Sequence, residues 1–596
     1  MYIFLQLLIM AILPFFYIAF GRKIFSLICK ALHSQIIPEL PNFAFFVFGL
    51  LSHITVSFFL KNVGASWSVA TLLPLIPCCF LWDEMKFGFT KISTNFLIWF
   101  CVIVAIGFSI FQVSPEGLVS RLHNQDLNYH ISMIACFVKA DVFPPDDPIF
   151  AGHILTYPLF IDFWSAMLWC INPSYESLRL IFVYQWILVW LVIYFALRGE
   201  RYHALPWVIL LAGGDFVFTD HLVFPILIHF VWIQLRSTML GVAVILVPLY
   251  LMYQVFNSYK EKKIRTSYAQ MLFASLILGL SPLTHVHICF AGCMFIGLSL
   301  AGHIIVKLIS YNTIVGEVKI LLRFLLCFVA GTSLGCIFLP WMLSGISMLK
   351  IMHGWFGFNP TAEFYIIENI NENLLFWLQY AHVLFIIFFV FLLASKKYIA
   401  GTVLIVMFYF ANTVAMVNAN WDHFKIFLGI FVVFLAAWAN CQNKTVYKLH
   451  YILLFLCIPT IIRFISTDEI LAQEPKVWIS KKEIDFGKKI EALTPPKAII
   501  ATEPNSRYYI SATSGRRLYL TEKLFLWTHG IDFSERENIL NDFEKFCNCK
   551  KVASEKERPF CPDYIVWNAE AKKFWKRSKP CQNAEMVDKY LYKLKY

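Results

Sequence analysis

The stretch Asn124–Tyr157, NQDLNYHISMIACFVKADVFPPDDPIFAGHILTY, is the one long polar interruption in the first half of a strongly apolar chain. It carries Asp126 and His130 four residues apart, then the turn Pro144-Pro-Asp-Asp-Pro148, and it closes on Gly152-His153 and Tyr157. An apolar run must be unbroken to cross a bilayer, so this segment cannot be a span. It reads as a loop held outside the membrane, with helical anchors before it and a helical bundle behind it.

The composition agrees. Apolar residues make up 59%, aromatics 17% and charged residues 15%, and the mean hydropathy is +0.65. Soluble chains carry about 25% charged residues. Apolar runs of roughly 18 to 22 residues recur over the first 466 positions, each long enough for ~30 Å of hydrocarbon. They are continuous rather than alternating, which makes them helices and not barrel strands. The formal charge of +12 is read as Lys and Arg in cytoplasmic loops facing anionic lipid, and no nucleic-acid partner is expected. The first run lacks a basic leader and a small-residue cleavage site, so it is kept as a spanning helix.

The expected spans are 2–20, 41–60, 66–83, 94–113, 176–197, 204–220, 238–256, 268–283, 286–306, 322–342, 374–394, 399–418, 424–440 and 448–466, about fourteen in all. The run 158–172 is left out: it is short, contains Asp162, and fits a re-entrant or interfacial helix better. Basic clusters follow the first, third, fifth, seventh, ninth, eleventh and thirteenth spans, among them Arg22-Lys23, Arg198, Lys262-Lys263 and Lys396-Lys397. By the positive-inside rule that side is cytoplasmic. The extracytoplasmic side then receives loop 114–157, the segment Gly213–Arg236, the turn Ser281–His287, loop 347–372, the turn Asn418–Lys425 and the tail.

Residues 1–466 therefore read as a transmembrane domain, and 467–596 as an extracytoplasmic soluble α/β domain. The tail shifts to Lys, Glu, Pro and Asn. Short apolar runs (Ala498–Ala501, Tyr508–Ile510, Leu518–Leu520, Tyr564–Trp567) alternate in it with helical patterns at Lys481–Leu493 and Ile531–Phe546. On an oxidising face, Cys547, Cys549, Cys561 and Cys581 point to one or two disulfides rather than a zinc site. The one acceptor sequon, Asn443-Lys444-Thr445, falls on the cytoplasmic side, which leans toward a bacterial inner membrane.

Several groups could do chemistry. Asp126 and His130, at i and i+4, share a face if a helix starts here. A carboxylate at the membrane boundary can serve as base toward a hydroxyl, or it can simply cap that helix. Asp162 is an acid at membrane depth, where such groups are costly and usually functional. His285 and His287 could contribute to a divalent metal site, though hydrogen bonds to a phosphate or sugar hydroxyl are chemically easier for them. Arg236, and Lys425 after Trp421-Asp422-His423, add positive charge on the same face and could neutralise a lipid-linked phosphate. In the tail, Ser514-Gly-Arg-Arg517 and Trp527-Thr-His-Gly-Ile-Asp532 form polar–aromatic clusters of a kind that suits sugar faces.

Taken in order, these motifs resemble a group of large bacterial membrane proteins near the GT-C glycosyltransferases. The order runs Asp126-Leu-Asn-Tyr-His130, Phe143-Pro-Pro145, Ala151-Gly-His153, Tyr157 to Asp162, Gln234-Leu-Arg236 with Gly241, and Gly279 to His287. It continues with Phe376-Trp-Leu378, Asn420-Trp-Asp422-His-Phe-Lys425, Ser514-Gly-Arg516, Thr528 to Asp532, and Arg536. The resemblance implies a polytopic inverting transferase that moves a sugar from a polyprenyl-phosphate donor, held at the membrane lipid surface, to a lipid, glycan or protein acceptor. It implies Asp126 as base, His130 and Asp162 assisting, and Arg236, His285, His287, Asp422 and Lys425 on the donor phosphate or substrate. The single Asp126 followed by His130, where an acidic pair is usual, leaves dependence on a divalent metal open. A lipid-linked saccharide flippase or a non-catalytic assembly protein are the readings from other classes. A flippase would call for inverted repeats and charges within spans.

Overall fold

The computed structural model describes residues 2–34, 40–76, 93–114, 116–120, 125–199, 201–211, 236–310, 315–345, 350–352, 354–357, 365–372, 397–416, 420–440, 451, 476–504 and 509–596. Among these, six helices are long and apolar enough to cross a membrane: Tyr2–Ala31, Asn42–Asn62, Tyr175–Ala196, Ser237–Lys260, Val286–Ile309 and Gly316–Met342. Shorter apolar helices run over Thr94–Phe108, Tyr398–Thr413 and Lys425–Ala439. The chain is an α-helical membrane protein. The expected spans 204–220, 374–394 and 448–466 lie wholly or mostly outside the described residues, as does 66–83 beyond Ile76.

Three boundaries differ from the hydropathy reading. The runs 94–113 and 399–418 stop short because Phe111–Ser114 and Val414–Ala415 are strands. The run 322–342 is a broken helix: Val315–Thr332 gives way to a tighter turn over Ser333–Phe338 and then to Leu339–Gly345. Hydropathy measures length and apolarity, and neither says where backbone hydrogen bonds change partner.

In lipid there is little hydrophobic drive between helices, so close packing and polar contacts hold them. The Tyr2–Ala31 and Asn42–Asn62 helices meet backbone to backbone. A Cβ on Gly21 would stand 2.2 Å from the Phe45 carbonyl oxygen, and one on Gly49 the same distance from that of Tyr17. Tyr17 Oη bonds His53 Nδ1 at 3.0 Å, while His53 Nε2 reaches the Thr71 carbonyl at 2.8 Å. A carbonyl only accepts, so the ring proton lies on Nε2 and Tyr17 donates to Nδ1.

The segment left out of the spans is not exposed. Phe160–Trp169 is a helix whose ten residues are all buried. Gln6 Nε2 donates to its Leu168 carbonyl at 3.0 Å, and Ser165 Oγ donates to Gln185 Oε1 at 2.9 Å. These bonds tie the segment into the bundle, with Asp162 inside rather than at a rim.

Outside the bundle, the hairpin Phe111–Ser114/Gly117–Ser120 pairs antiparallel with Lys476–Ser480. Residues 476–596 place helices around a five-stranded sheet in the order Arg517–Leu518, Ile499–Ala501, Tyr564–Val566, Leu591–Leu594, Ala584–Asp588. Its first three strands are parallel and its last two antiparallel. The helix expected at Lys481–Leu493 is present, with a full capping box of Ser480 and Glu483. Tyr508–Ile510, read as a strand, instead leads into the helix Tyr509–Ser514, and the expected helix at 531–546 is split into Ser534–Asn541 and Phe543–Cys547. Disulfides join Cys547 to Cys581 and Cys549 to Cys561. Each closes a loop of a size that stabilises a fold by roughly 3 kcal/mol.

The opening loop is clamped between these parts. Leu518 N donates to the Pro148 carbonyl at 2.8 Å and Thr521 N to that of Ile149 at 3.2 Å. Arg517 pairs with Asp146. Lys139 Nζ reaches Glu491 at 2.8 Å and the Thr513 carbonyl at 2.7 Å. The Arg536 guanidinium lies 3.9 Å from the centre of the Phe150 ring while bonding Glu557 at 2.6 Å.

Candidate active site

The loop opens, as the apolar run Ile131–Val138 suggests, with a helix over Gln125–Ala135. That helix carries Asp126 in its first turn and His130 one turn on. The side chains of Asp126, Arg236 and Asp422 lie outside the described residues. Their backbones stand in the first turns of Gln125–Ala135, Arg236–Lys260 and Asn420–Ala439.

His130 and Asp162 come together across 32 positions of sequence: Nδ1 lies 2.7 Å from Oδ2, with the side chains 1% and 0% exposed. With Nδ1–H donated to an ionised carboxylate, the neutral ring keeps its lone pair on Nε2. That nitrogen is buried without a hydrogen-bond partner among the described residues. The Tyr157 ring stands edge-on to His130 at 5.3 Å. Neither residue alone announces this pair; the burial of the Phe160–Trp169 helix creates it.

Beyond Tyr157 lies a cleft of about 460 Å³, open solvent at its mouth included, lined by Thr156, Tyr157, Pro158, Ser237, His285, Val286, His287, Lys425, Thr528 and His529. Three of the residues expected on a phosphate, His285, His287 and Lys425, thus share one wall. Arg236 immediately precedes the lining residue Ser237. The wall is fixed by the turn ahead of Val286, where the Leu283 carbonyl accepts from Phe160 N at 3.1 Å. That bond couples the cleft to the helix of Asp162. Gly241 allows the closest approach, since a Cβ there would sit 2.6 Å from His285 Cβ.

The electrostatics of the cleft favour an anion. Helices of 25, 24 and 20 residues begin at Arg236, Val286 and Asn420, so three positive helix ends open near the same space. Lys425 adds a full charge. Among the described residues, no carboxylate lines the cleft. Burial, then Lys425, then His287 hold His285 well below its ordinary pKa of 6.5. It is neutral at pH 7 and acts as a hydrogen-bonding group rather than a second cation, and its Nδ1 is buried without a hydrogen-bond partner among the described residues.

His423, next to Lys425, does not line the cleft; its Nε2 donates to the Ala411 carbonyl at 2.7 Å and secures the helix. Among the described residues, no group of three or more His, Cys, Asp or Glu side chains could hold a metal ion.

Tyr157, Thr528 and His529 are cleft residues that the sequence did not assign to the site. The polar–aromatic density of Trp527–Asp532 was the available signal. What it lacked was any indication that the turn from residues 523–529 reaches the membrane bundle.

No family model matches the chain, and no curated protein matches it. Among solved structures, the chain is similar to the oligosaccharyltransferase of Archaeoglobus fulgidus in its apo form, with 14% identity, a TM-score of 0.45 and coverage of 82% of this chain and 72% of that one. The same enzyme tethered through a disulfide to an acceptor peptide containing the NVT sequon gives a TM-score of 0.44 at 14% identity, over 80% of this chain and 69% of that one. The Archaeoglobus fulgidus oligosaccharyltransferase AglB with an inhibitory peptide and a dolichol-phosphate gives 0.42 at 14%, over 80% and 70%.

Proposed function

We propose that the cleft holds the phosphate of a polyprenyl-phosphate-linked sugar, and that the protein transfers that sugar to a hydroxyl of a lipid, glycan or protein acceptor. The observation that carries this reading is the convergence of Lys425, two histidines and three helix N-termini on one cleft. Such a site suits a phosphate whose negative charge grows as the glycosidic bond breaks, and fixed dipoles aimed at developing charge usually contribute most to catalysis of this kind.

In the proposed step, the acceptor oxygen attacks the anomeric carbon on the face opposite the phosphate. The carbon–oxygen bond to phosphate breaks and its electron pair leaves on the phosphate, stabilised by Lys425, Arg236, His285 and His287. Asp126 takes the acceptor proton. His130, one helical turn away, can receive that proton on Nε2, and Asp162 then stabilises the imidazolium. Asp422, in the first turn of the helix that carries Lys425, is assigned to substrate binding. By the distribution of Lys and Arg, the cleft belongs to the extracytoplasmic face of a bacterial inner membrane, and residues 467–596 form a domain on that face.

The test is transfer from radiolabelled polyprenyl-phosphate sugars in proteoliposomes. Wild type should yield a labelled acceptor, and Asp126→Asn should lose transfer by at least about a hundredfold. Near-normal transfer by folded Asp126→Asn removes the base assignment. Movement of label across the bilayer without covalent transfer replaces the reading with a flippase, and neither activity leaves an assembly protein.

A further inference from the structure

The cleft is lined by two sets of groups of unlike hydrogen-bonding character. One set is Lys425, His285 and His287. The other comes from the far end of the chain: Thr528 and His529, at the close of the helix Lys523–Thr528. His529 Nδ1 lies 2.8 Å from the Phe525 carbonyl and 3.0 Å from Thr528 Oγ1, and Thr528 Oγ1 donates to the same carbonyl at 2.7 Å. A carbonyl can only accept, so in the neutral ring Nδ1 carries the proton and Nε2 is the acceptor nitrogen.

The ring is held in place from both sides. It stacks on Phe525 at 4.3 Å and 27°, and Tyr157 stands 5.7 Å away. The Tyr157 and Phe525 rings are themselves 5.8 Å apart. This fixes the ring of a residue that lines the cleft, with Nε2 as its acceptor nitrogen. A phosphate, which offers only acceptor oxygens when ionised, has no use for it. A polyol does.

We propose that His529 recognises the sugar of the donor, accepting a hydrogen bond from one of its hydroxyls through Nε2, with Thr528 and Phe525 fixing the tautomer. Specificity for the sugar then resides in residues 525–529, and affinity for the lipid phosphate in the membrane wall. The assignment rests on the reading of the cleft as a donor site, and its test separates the two.

The full-length protein in detergent is titrated with undecaprenyl phosphate and with its glucosyl, galactosyl, mannosyl and arabinosyl esters. In wild type, bare undecaprenyl phosphate should bind, and at least one glycosylated ester should bind about fivefold more tightly, the increment of a single neutral hydrogen bond. His529→Ala should erase that increment and leave the bare phosphate unchanged, which also shows that the variant is folded. His529→Gln, which retains an acceptor, should restore part of it. Equal weakening of bare and glycosylated ligands by His529→Ala would move the residue to the phosphate wall and overturn the proposal. So would a wild type for which no sugar adds affinity over bare phosphate, with the donor-site reading left standing. A wild type that binds none of these ligands overturns both.

Discussion

Two histidine sites in this molecule follow opposite electrostatic plans. His130 has a carboxylate, Asp162, at 2.7 Å, and both side chains are shut away from solvent. His285 has a lysine and a second histidine as its charged neighbours, and it opens onto a cleft that no carboxylate lines among the described residues. The first ring is held by a carboxylate and the second lies among cationic groups. The contrast teaches that ring type says little by itself: under the proposed function one site relays a proton and the other leaves room for an anion.

The largest effect expected from breaking the contrast is at Lys425. Lys425→Met removes the full positive charge described in the cleft, and transfer should fall by at least about a hundredfold, the scale of losing one stabilising group at developing charge. Donor turnover in proteoliposomes checks this, and activity within a factor of about three of wild type would contradict the anion plan.

On the other side of the comparison, Asp162→Ala leaves the His130 Nδ1–H buried without its acceptor. That should cost about 1–3 kcal/mol of stability, read as a lower unfolding midpoint in detergent. An unchanged midpoint would mean that the pair contributes little to the fold.

Gly241→Ala sharpens the geometry. Its new Cβ would meet His285 Cβ at 2.6 Å, and relieving such a contact costs about 1–3 kcal/mol. The expected signature is weaker donor binding through a displaced His285, while the His130–Asp162 pair, probed by the pH profile of transfer, stays as it was.

The smallest effect concerns pH. The folded pKa of His285 lies below its ordinary 6.5, so between the two values the unfolded chain binds more protons than the folded one. Stability therefore rises with pH across that window and is lost as pH falls below about 6.5. His285→Gln should flatten this acid limb, as followed by unfolding midpoints between pH 7 and pH 5. An acid limb of unchanged slope would place the loss elsewhere.

Much of this was legible in the sequence, for identifiable reasons. Uninterrupted apolar runs announced the helices at Tyr2–Ala31, Asn42–Asn62, Tyr175–Ala196 and Val286–Ile309. The apolar run Ile131–Val138 suggested the helix that opens the loop, on which Asp126 and His130 stand at i and i+4. The distribution of Lys and Arg put His285, His287 and Lys425 on one side of the membrane, and the structure gathers them at one cleft.

What was not legible depends on long-range packing. Asp162 looked as though it could lie at the rim of a re-entrant or interfacial segment, because the run 158–172 is short and holds an acid. Nothing local says that Gln6 and Gln185 bind that segment inside the bundle. The short apolar run Tyr508–Ile510 reads as strand because β-branched and aromatic residues suit one, whereas Tyr509 and Ile510 open a helix that ends at Gly515, at φ +68°. His529 was visible only as part of a polar–aromatic cluster, since its partner Tyr157 lies hundreds of residues earlier.

The central claim, that this cleft holds a lipid-linked phosphate, is tested most directly by photo-crosslinking. A polyprenyl phosphate carrying a diazirine on the first isoprene unit is irradiated with the purified protein, and the adducts are mapped by peptide mass spectrometry. The account predicts adducts within 156–158, 237, 285–287 and 425, competed by unlabelled polyprenyl phosphate and lost in Lys425→Met. Adducts spread along the lipid-exposed face of Tyr2–Ala31, with none at these positions, would contradict it.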